Sequence, residues 1–113
     1  MTTTSTGRNA ELCAARKLQK AGFTLVAQNW RTPRCEIDLI MKRNHCIYFI
    51  EVKYRQNKSQ GSGLEYVTTK KLKQMAFAAE SWVQAQRWSG EYCLAAIEVG
   101  GADFTVGRLI TEL

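Results

Sequence analysis

Two short apolar runs, Glu36-Ile37-Asp38-Leu39-Ile40 and Phe49-Ile50-Glu51-Val52-Lys53, carry acids where a strand of their character ordinarily has none. Between them Lys42-Arg43-Asn44-His45 makes a polar break short enough for a hairpin turn. With Asn44 and His45 at the tip, Asp38 faces Glu51 and Glu36 faces Lys53, and any even-length loop centred there gives the same pairing. Two carboxylates opposed across a strand pair repel and destabilise an ordinary sheet. A hard divalent cation removes that conflict, because it draws carboxylate oxygens toward one point. Side chains alternate along a strand, so Lys53 shares the face of Glu51. The pattern predicts a metal site with an ammonium beside it.

Composition is that of one small globular domain. The 113 residues suffice for a single core, and 45% of them are hydrophobic. No segment approaches the roughly 18 consecutive apolar residues of a membrane span. Residues 1–7 are polar, lack an apolar signal core and read as a disordered lead-in, leaving 8–113 as the domain. Cys13, Cys35, Cys46 and Cys93 have neither Cys-x-x-Cys spacing nor a nearby histidine, so zinc is disfavoured and free thiols in a reducing cytoplasm are expected. Charge is uneven along the chain. Residues 1–73 carry 14 Lys/Arg against 5 Asp/Glu, a balance of +9, whereas 74–113 carry 2 against 5, a balance of −3. The basic groups therefore gather on the part that holds the carboxylates, as expected of a surface that meets a polyanion.

Periodicity predicts a helix, three strands, a second helix, then one or two strands. A helix over 8–20 places Ala14, Ala15 and Leu18 three, four and seven residues after Glu11. Glu11 thus begins the inward face, an unfavourable place for an unpaired acid, and Gly22 ends the helix. Strands follow over 23–31, 35–41 and 46–55. The stretch 56–63 is polar and glycine-bearing, and it lacks the Gly-Lys-Ser/Thr spacing of a phosphate-binding P-loop. Thr68 or Thr69 caps a helix reaching about residue 88, with Leu72, Met75, Ala76, Ala79, Trp82, Val83 and Gln86 forming a core stripe. Lys70, Lys71 and Lys73 crowd its first turn, where cations oppose the helix dipole, a placement that points to an anionic ligand. The last strand candidates are 93–99 and 104–110.

The spacing Asp38-x(12)-Glu51-x-Lys53 resembles the core of the PD-(D/E)xK nuclease superfamily. Arg8-Asn9-Ala10-Glu11, Asn29-Trp30-Arg31, Glu36-Ile37-Asp38-Leu39-Ile40 and Phe49-Ile50-Glu51-Val52-Lys53-Tyr54-Arg55 together resemble the YraN family of bacterial proteins, thought to be related to archaeal Holliday junction resolvases. The resemblance implies an α/β fold with a restriction-endonuclease-like core, in which helices flank a mixed central sheet. It implies Mg²⁺ or Mn²⁺ held by Asp38, Glu51, Glu11 and the Val52 carbonyl, with Lys53 orienting water or stabilising developing charge. Arg55, Lys58, Lys70, Lys71 and Lys73 are the expected backbone-phosphate contacts, nucleic acid (DNA above RNA) the partner, and no membrane is involved. A homodimer is compatible with it. The chain departs from the family pattern at Cys35, where a glycine usually precedes Glu-Ile-Asp. It departs again over 93–97, where the family tends to an Arg-Phe-Asp-like strand.

Competing readings attach to the same residues. Glu36 is read as the cross-strand partner of Lys53, and His45 as a turn residue. Asp38 satisfied by backbone amides and Glu51 paired with Lys53 or Arg55 would make a structural acid pair instead of a metal site. Ser62 and the cysteines have no base at a readable distance, so nucleophilic catalysis is not indicated. Beyond an endonuclease, two classes remain: a non-catalytic nucleic-acid-binding module with the same fold, and an adaptor whose acids form a buried ion network.

Overall fold

The tip of the hairpin is set by two consecutive residues in the left-handed region, Asn44 at φ 53° and His45 at φ 62°. That conformation matches the twist of paired strands and gives a two-residue connection. In the computed structural model, which describes residues 5–56 and 67–113, the pairs are Arg43 with Cys46, Lys42 with Ile47, Met41 with Tyr48, Ile40 with Phe49 and Leu39 with Ile50. This is the register expected from the sequence. The elements in order are α1 (Ser5–Lys20), β1 (Thr24–Arg31), β2 (Glu36–Arg43), β3 (Cys46–Arg55), α2 (Thr69–Gln86), β4 (Glu91–Gly100) and β5 (Thr105–Val106).

The five strands lie in the order β1-β2-β3-β4-β5. All neighbours are antiparallel except β3 and β4, which run parallel from Cys46 beside Glu91 to Arg55 beside Gly100. A parallel pair needs a crossover, and α2 supplies it. One helix packs on each face. Ala10, Ala14, Ala15 and Leu18 of α1 bury against Leu39, Met41, Ile50, Ile97 and Val99. Met75, Ala78, Ala79 and Trp82 of α2 bury against Ile37, Ile40, Ile47 and Phe49. The central strands are therefore covered on both sides, which is why 36–41 and 46–50 read as nearly continuous apolar runs. The fold is α/β with a mixed central sheet between helices, compatible with a restriction-endonuclease-like core.

Several boundaries differ from expectation. α1 begins at Ser5, so 5–7 belong to the helix, and the expected tail is left with 1–4, outside the described residues. Gly22 at φ 97° ends the helix, and the Phe23 amide returns to the Leu18 carbonyl at 2.9 Å. Thr68 caps α2, its hydroxyl accepting from the Lys71 amide at 3.0 Å. On the core stripe Ala78 is buried, whereas Ala76 and Gln86 are exposed. The predicted strand 104–110 shrinks to Thr105–Val106: Phe104 turns at φ 53°, the Gly107 amide still donates to the Glu98 carbonyl at 2.7 Å, and Ile110 bridges back to Ala96. Cys35 is absent from the residues with positive φ, so the conformation that glycine would favour is not required there. The edge strand β1 is irregular, with a register shift between Leu25 and Ala27 and Asn29 at φ 50°.

Candidate functional site

The regular β2–β3 pairing runs from the tip to Leu39 and Ile50, and the next residues outward are Asp38 and Glu51. Strand alternation puts both on the side of Ile40 and Phe49, toward α2. The Val52 amide donates to Asp38 Oδ2 at 2.8 Å, and the Asp38 carboxyl feels the charge of Glu51. Burial pushes the Asp38 carboxyl up to about 8 and the Glu51 charge adds to the rise; the Val52 amide opposes it, and Glu11 and Glu36 reinforce it. Glu51 is raised as well, first by burial, against the lowering influence of Lys71, of Asp38 and of Lys53. A pair of acids that burial drives toward protonation lacks positive charge.

Lys71 is the residue that sequence reasoning placed elsewhere. Expected on the phosphate-contacting surface, its Nζ instead lies 3.4 Å from Glu51 Oε1. The first turn of α2 thus delivers a cation onto the acid pair. Glu36 meets Arg31 at 3.4 Å, the residue facing it across β1 and β2, where Lys53 was the expected partner. Arg55, expected to contact phosphate, forms a 2.5 Å ion pair with Glu98 of the parallel neighbour. Lys53 is exposed and close enough to lower the Glu51 pKa. Lys58 lies outside the described residues.

Glu11, on α1, acts on the pair through its charge, which raises Asp38. Asn29 donates from Nδ2 to Glu11 Oε1 at 3.1 Å, and the left-handed backbone of Asn29 aims that amide. Burial raises the Glu11 carboxyl, Asn29 opposes the rise, and Glu36 and Glu51 increase it. Asn29 and Arg31, which the sequence offered only as motif letters, therefore each hold one acid of the site. Four carboxylates influence one another here, yet among the described residues no three His, Cys, Asp or Glu side chains form a ready metal-ligand group.

Lys70 and Lys73 flank Lys71 and line a hollow of about 480 Å³ with Thr69, Gln74, Phe77 and Arg34. The cysteines are free thiols. Burial pushes the Cys35 thiol up, and burial together with neighbouring Cys46 raises Cys93 to about 11, so neither is an activated nucleophile. No helix among the described residues is long and apolar enough to cross a membrane.

Comparison with known proteins agrees with the motifs. A family model described as "Uncharacterised protein family UPF0102" matches residues 10–99. A UPF0102 protein of Pseudomonas fluorescens is 36% identical over 105 residues, covering 91% of this chain and 85% of the relative. One from Vibrio campbellii is 36% identical over 102 residues, covering 86% and 84%. One from Cytophaga hutchinsonii is 35% identical over 89 residues, covering 79% of each.

Proposed function

We propose that this chain, which belongs to the UPF0102 (YraN) family, is a metal-dependent endonuclease-like protein. Its substrate would be nucleic acid, with branched or junction DNA favoured, and its reaction phosphodiester hydrolysis. The observation that carries the reading is the half-buried pair of Asp38 and Glu51, two acids whose charges oppose each other at the end of a hairpin.

The donor set fits a hard divalent cation. Magnesium is commonly held by one or two carboxylates, with waters and substrate phosphate oxygens completing its shell, so a three-carboxylate cage is not needed. Asp38 and Glu51 would hold Mg²⁺ or Mn²⁺, with the Val52 carbonyl and Glu11 as further donors. Such an ion supplies Lewis-acid neutralisation of phosphate charge and lowers the pKa of water. The protein does the rest. The Val52 amide fixes one oxygen of Asp38 and leaves the other to ligate. Lys71, 3.4 Å away, favours the charged form of Glu51 against the burial that raises it. Lys53, exposed on a flexible stem, orients water or meets charge developing on the phosphate.

The Lys71–Glu51 ion pair favours a second reading, a non-catalytic nucleic-acid-binding module in which a built-in ammonium stands where a metal would. A cleavage screen over branched and linear DNAs with Mg²⁺ and Mn²⁺, run beside Lys53→Ala, separates the two. The enzyme reading expects metal-dependent cutting that Lys53→Ala lowers by roughly 100-fold, the scale of one charge-stabilising contact. Wild-type protein that binds DNA and cuts none of it leaves the module.

A further inference from the structure

Phe77 is 48% exposed, on the side of α2 turned away from the core. It is not isolated. Thr69, Lys70, Lys73, Gln74 and Phe77 recur at helical spacing along one stripe, and Arg34 from the β1–β2 connection closes the hollow over them. The Arg34 guanidinium carbon stands 5.8 Å from the centre of the Phe77 ring. Arg34 is anchored locally, since the Thr32 hydroxyl accepts from the amides of Arg34 and Cys35 at 3.3 and 3.1 Å. The hollow thus holds three cations and one aromatic face, and among the described residues no carboxylate lines it.

Such a composition selects among anions. A bare phosphate needs cations and gains nothing from an exposed ring. A ligand that joins negative charge to a flat apolar face uses both, and an unpaired nucleotide is such a ligand. Bases inside a duplex have no free face to offer. The hollow also adjoins the acid pair, because Lys71 sits between Lys70 and Lys73 in sequence and reaches Glu51, and Cys35, next to Arg34, feels the charges of Lys71, Glu51 and Asp38.

We propose that this hollow is a subsite for one unpaired nucleotide, with its base stacked on Phe77 and its flanking phosphates held by Arg34, Lys70 and Lys73. The inference rests on the nucleic-acid reading above and narrows its substrate to strands carrying an unpaired nucleotide, at a branch, flap or single-stranded stretch, beside the phosphate to be cut.

Fluorescence polarisation with chelator present tests it without any turnover. The probes are a labelled 15-nucleotide oligothymidine, an abasic oligomer of the same length and charge, and a blunt duplex. Oligothymidine should bind roughly tenfold tighter than the abasic strand, on the scale of one stacked base. Phe77→Ala should erase that difference, Phe77→Tyr should retain it, and duplex binding should not change. Lys70→Ala and Lys73→Ala should instead weaken all three probes and reduce the salt slope. Equal affinity for oligothymidine and abasic strand overturns the subsite while leaving the nuclease reading intact. No binding to any probe at low salt overturns both. A change in oligomeric state on Phe77→Ala, with base preference kept, assigns the ring to contact between copies of the chain and also overturns the subsite.

Discussion

The two ends of the β2–β3 hairpin share a register and differ in almost everything else. At the tip rings and cations pack closely together, and the one buried side-chain nitrogen among the described residues that lacks a partner there is Arg43 Nε. Trp88 packs against His45 with ring centres 4.8 Å apart and donates from Nε1 to the Glu91 carbonyl at 2.9 Å, while Lys42 Nζ lies 5.2 Å from the Trp88 ring. At the open end Asp38 and Glu51 confront each other in a half-buried setting, raised toward protonation and moderated by Lys71 and one amide. The tip determines where the open end's residues fall. Slipping the pairing by one residue would relieve the acids, but it would turn Leu39, Ile40, Phe49 and Ile50 to the wrong faces. With each of those side chains worth about 1.5–3 kcal/mol when buried, the core outweighs the repulsion. A well-packed end holds a repelling one in place, and the repelling end is where chemistry is to be sought.

The comparison breaks most visibly at Asp38. Asp38→Asn keeps the shape and removes the charge that would hold a cation, so metal-dependent cleavage should fall to background while the protein stays folded. Its stability should also lose a pH dependence. Asp38 moves from an ordinary value of 3.8 to about 8 on folding. Between those values the folded chain keeps a proton that the unfolded chain has released, so stability falls as pH rises through the window and levels off above it. Thermal melting without metal, wild type against Asp38→Asn from pH 5 to 9, should show the wild type losing ground toward pH 8. Mg²⁺ or Mn²⁺ at pH 8 should restore it, and should leave Asp38→Asn unmoved.

Lys71→Ala is the next largest effect. It leaves Glu51 half-buried without its ammonium and should lower stability by about 2 kcal/mol in denaturant titration. Glu51→Gln in the same chain should recover most of that loss, a non-additivity that two independent sites would not show. At the tip, Asn44→Ala at φ 53° should lower stability by about 1 kcal/mol and leave any cleavage at the wild-type rate. The smallest change is expected at Arg31→Ala. Its pair with Glu36 is largely exposed, with side chains 75% and 37% accessible, so the loss should stay under about 0.5 kcal/mol.

The hairpin was legible in the sequence because its pairing depends on turn parity and apolar alternation, both local. The facing of Asp38 and Glu51 followed from that; the cap, narrowed by the structure from Thr68 or Thr69 to Thr68, and the stop at Gly22 rest on equally local residue preferences. The partners of the acids were not legible. Lys71 meets Glu51 only because α2 crosses from β3 to a parallel β4, and nothing in the spacing of the lysines tells which of the three turns inward. Arg55 was claimed by Glu98 across the same parallel ladder. Arg31 took Glu36 because β1 pairs there, on a strand whose bulge the sequence does not announce. Phe77 carries no signal in the sequence, since its partner Arg34 comes from the distant β1–β2 connection.

The irregular backbone of β1 bears on how the molecule behaves in a crowd. An outermost strand offers a row of unpaired amides and carbonyls, the template on which other chains add strands and aggregate. Here that row is broken twice within five residues, by the shift at Leu25 and Ala27 and by the left-handed Asn29. No flat stretch remains long enough to seat an incoming strand. The residue that steadies Glu11 thereby also guards against self-adhesion, and a version of β1 straightened for better strand propensity would be expected to leave solution sooner.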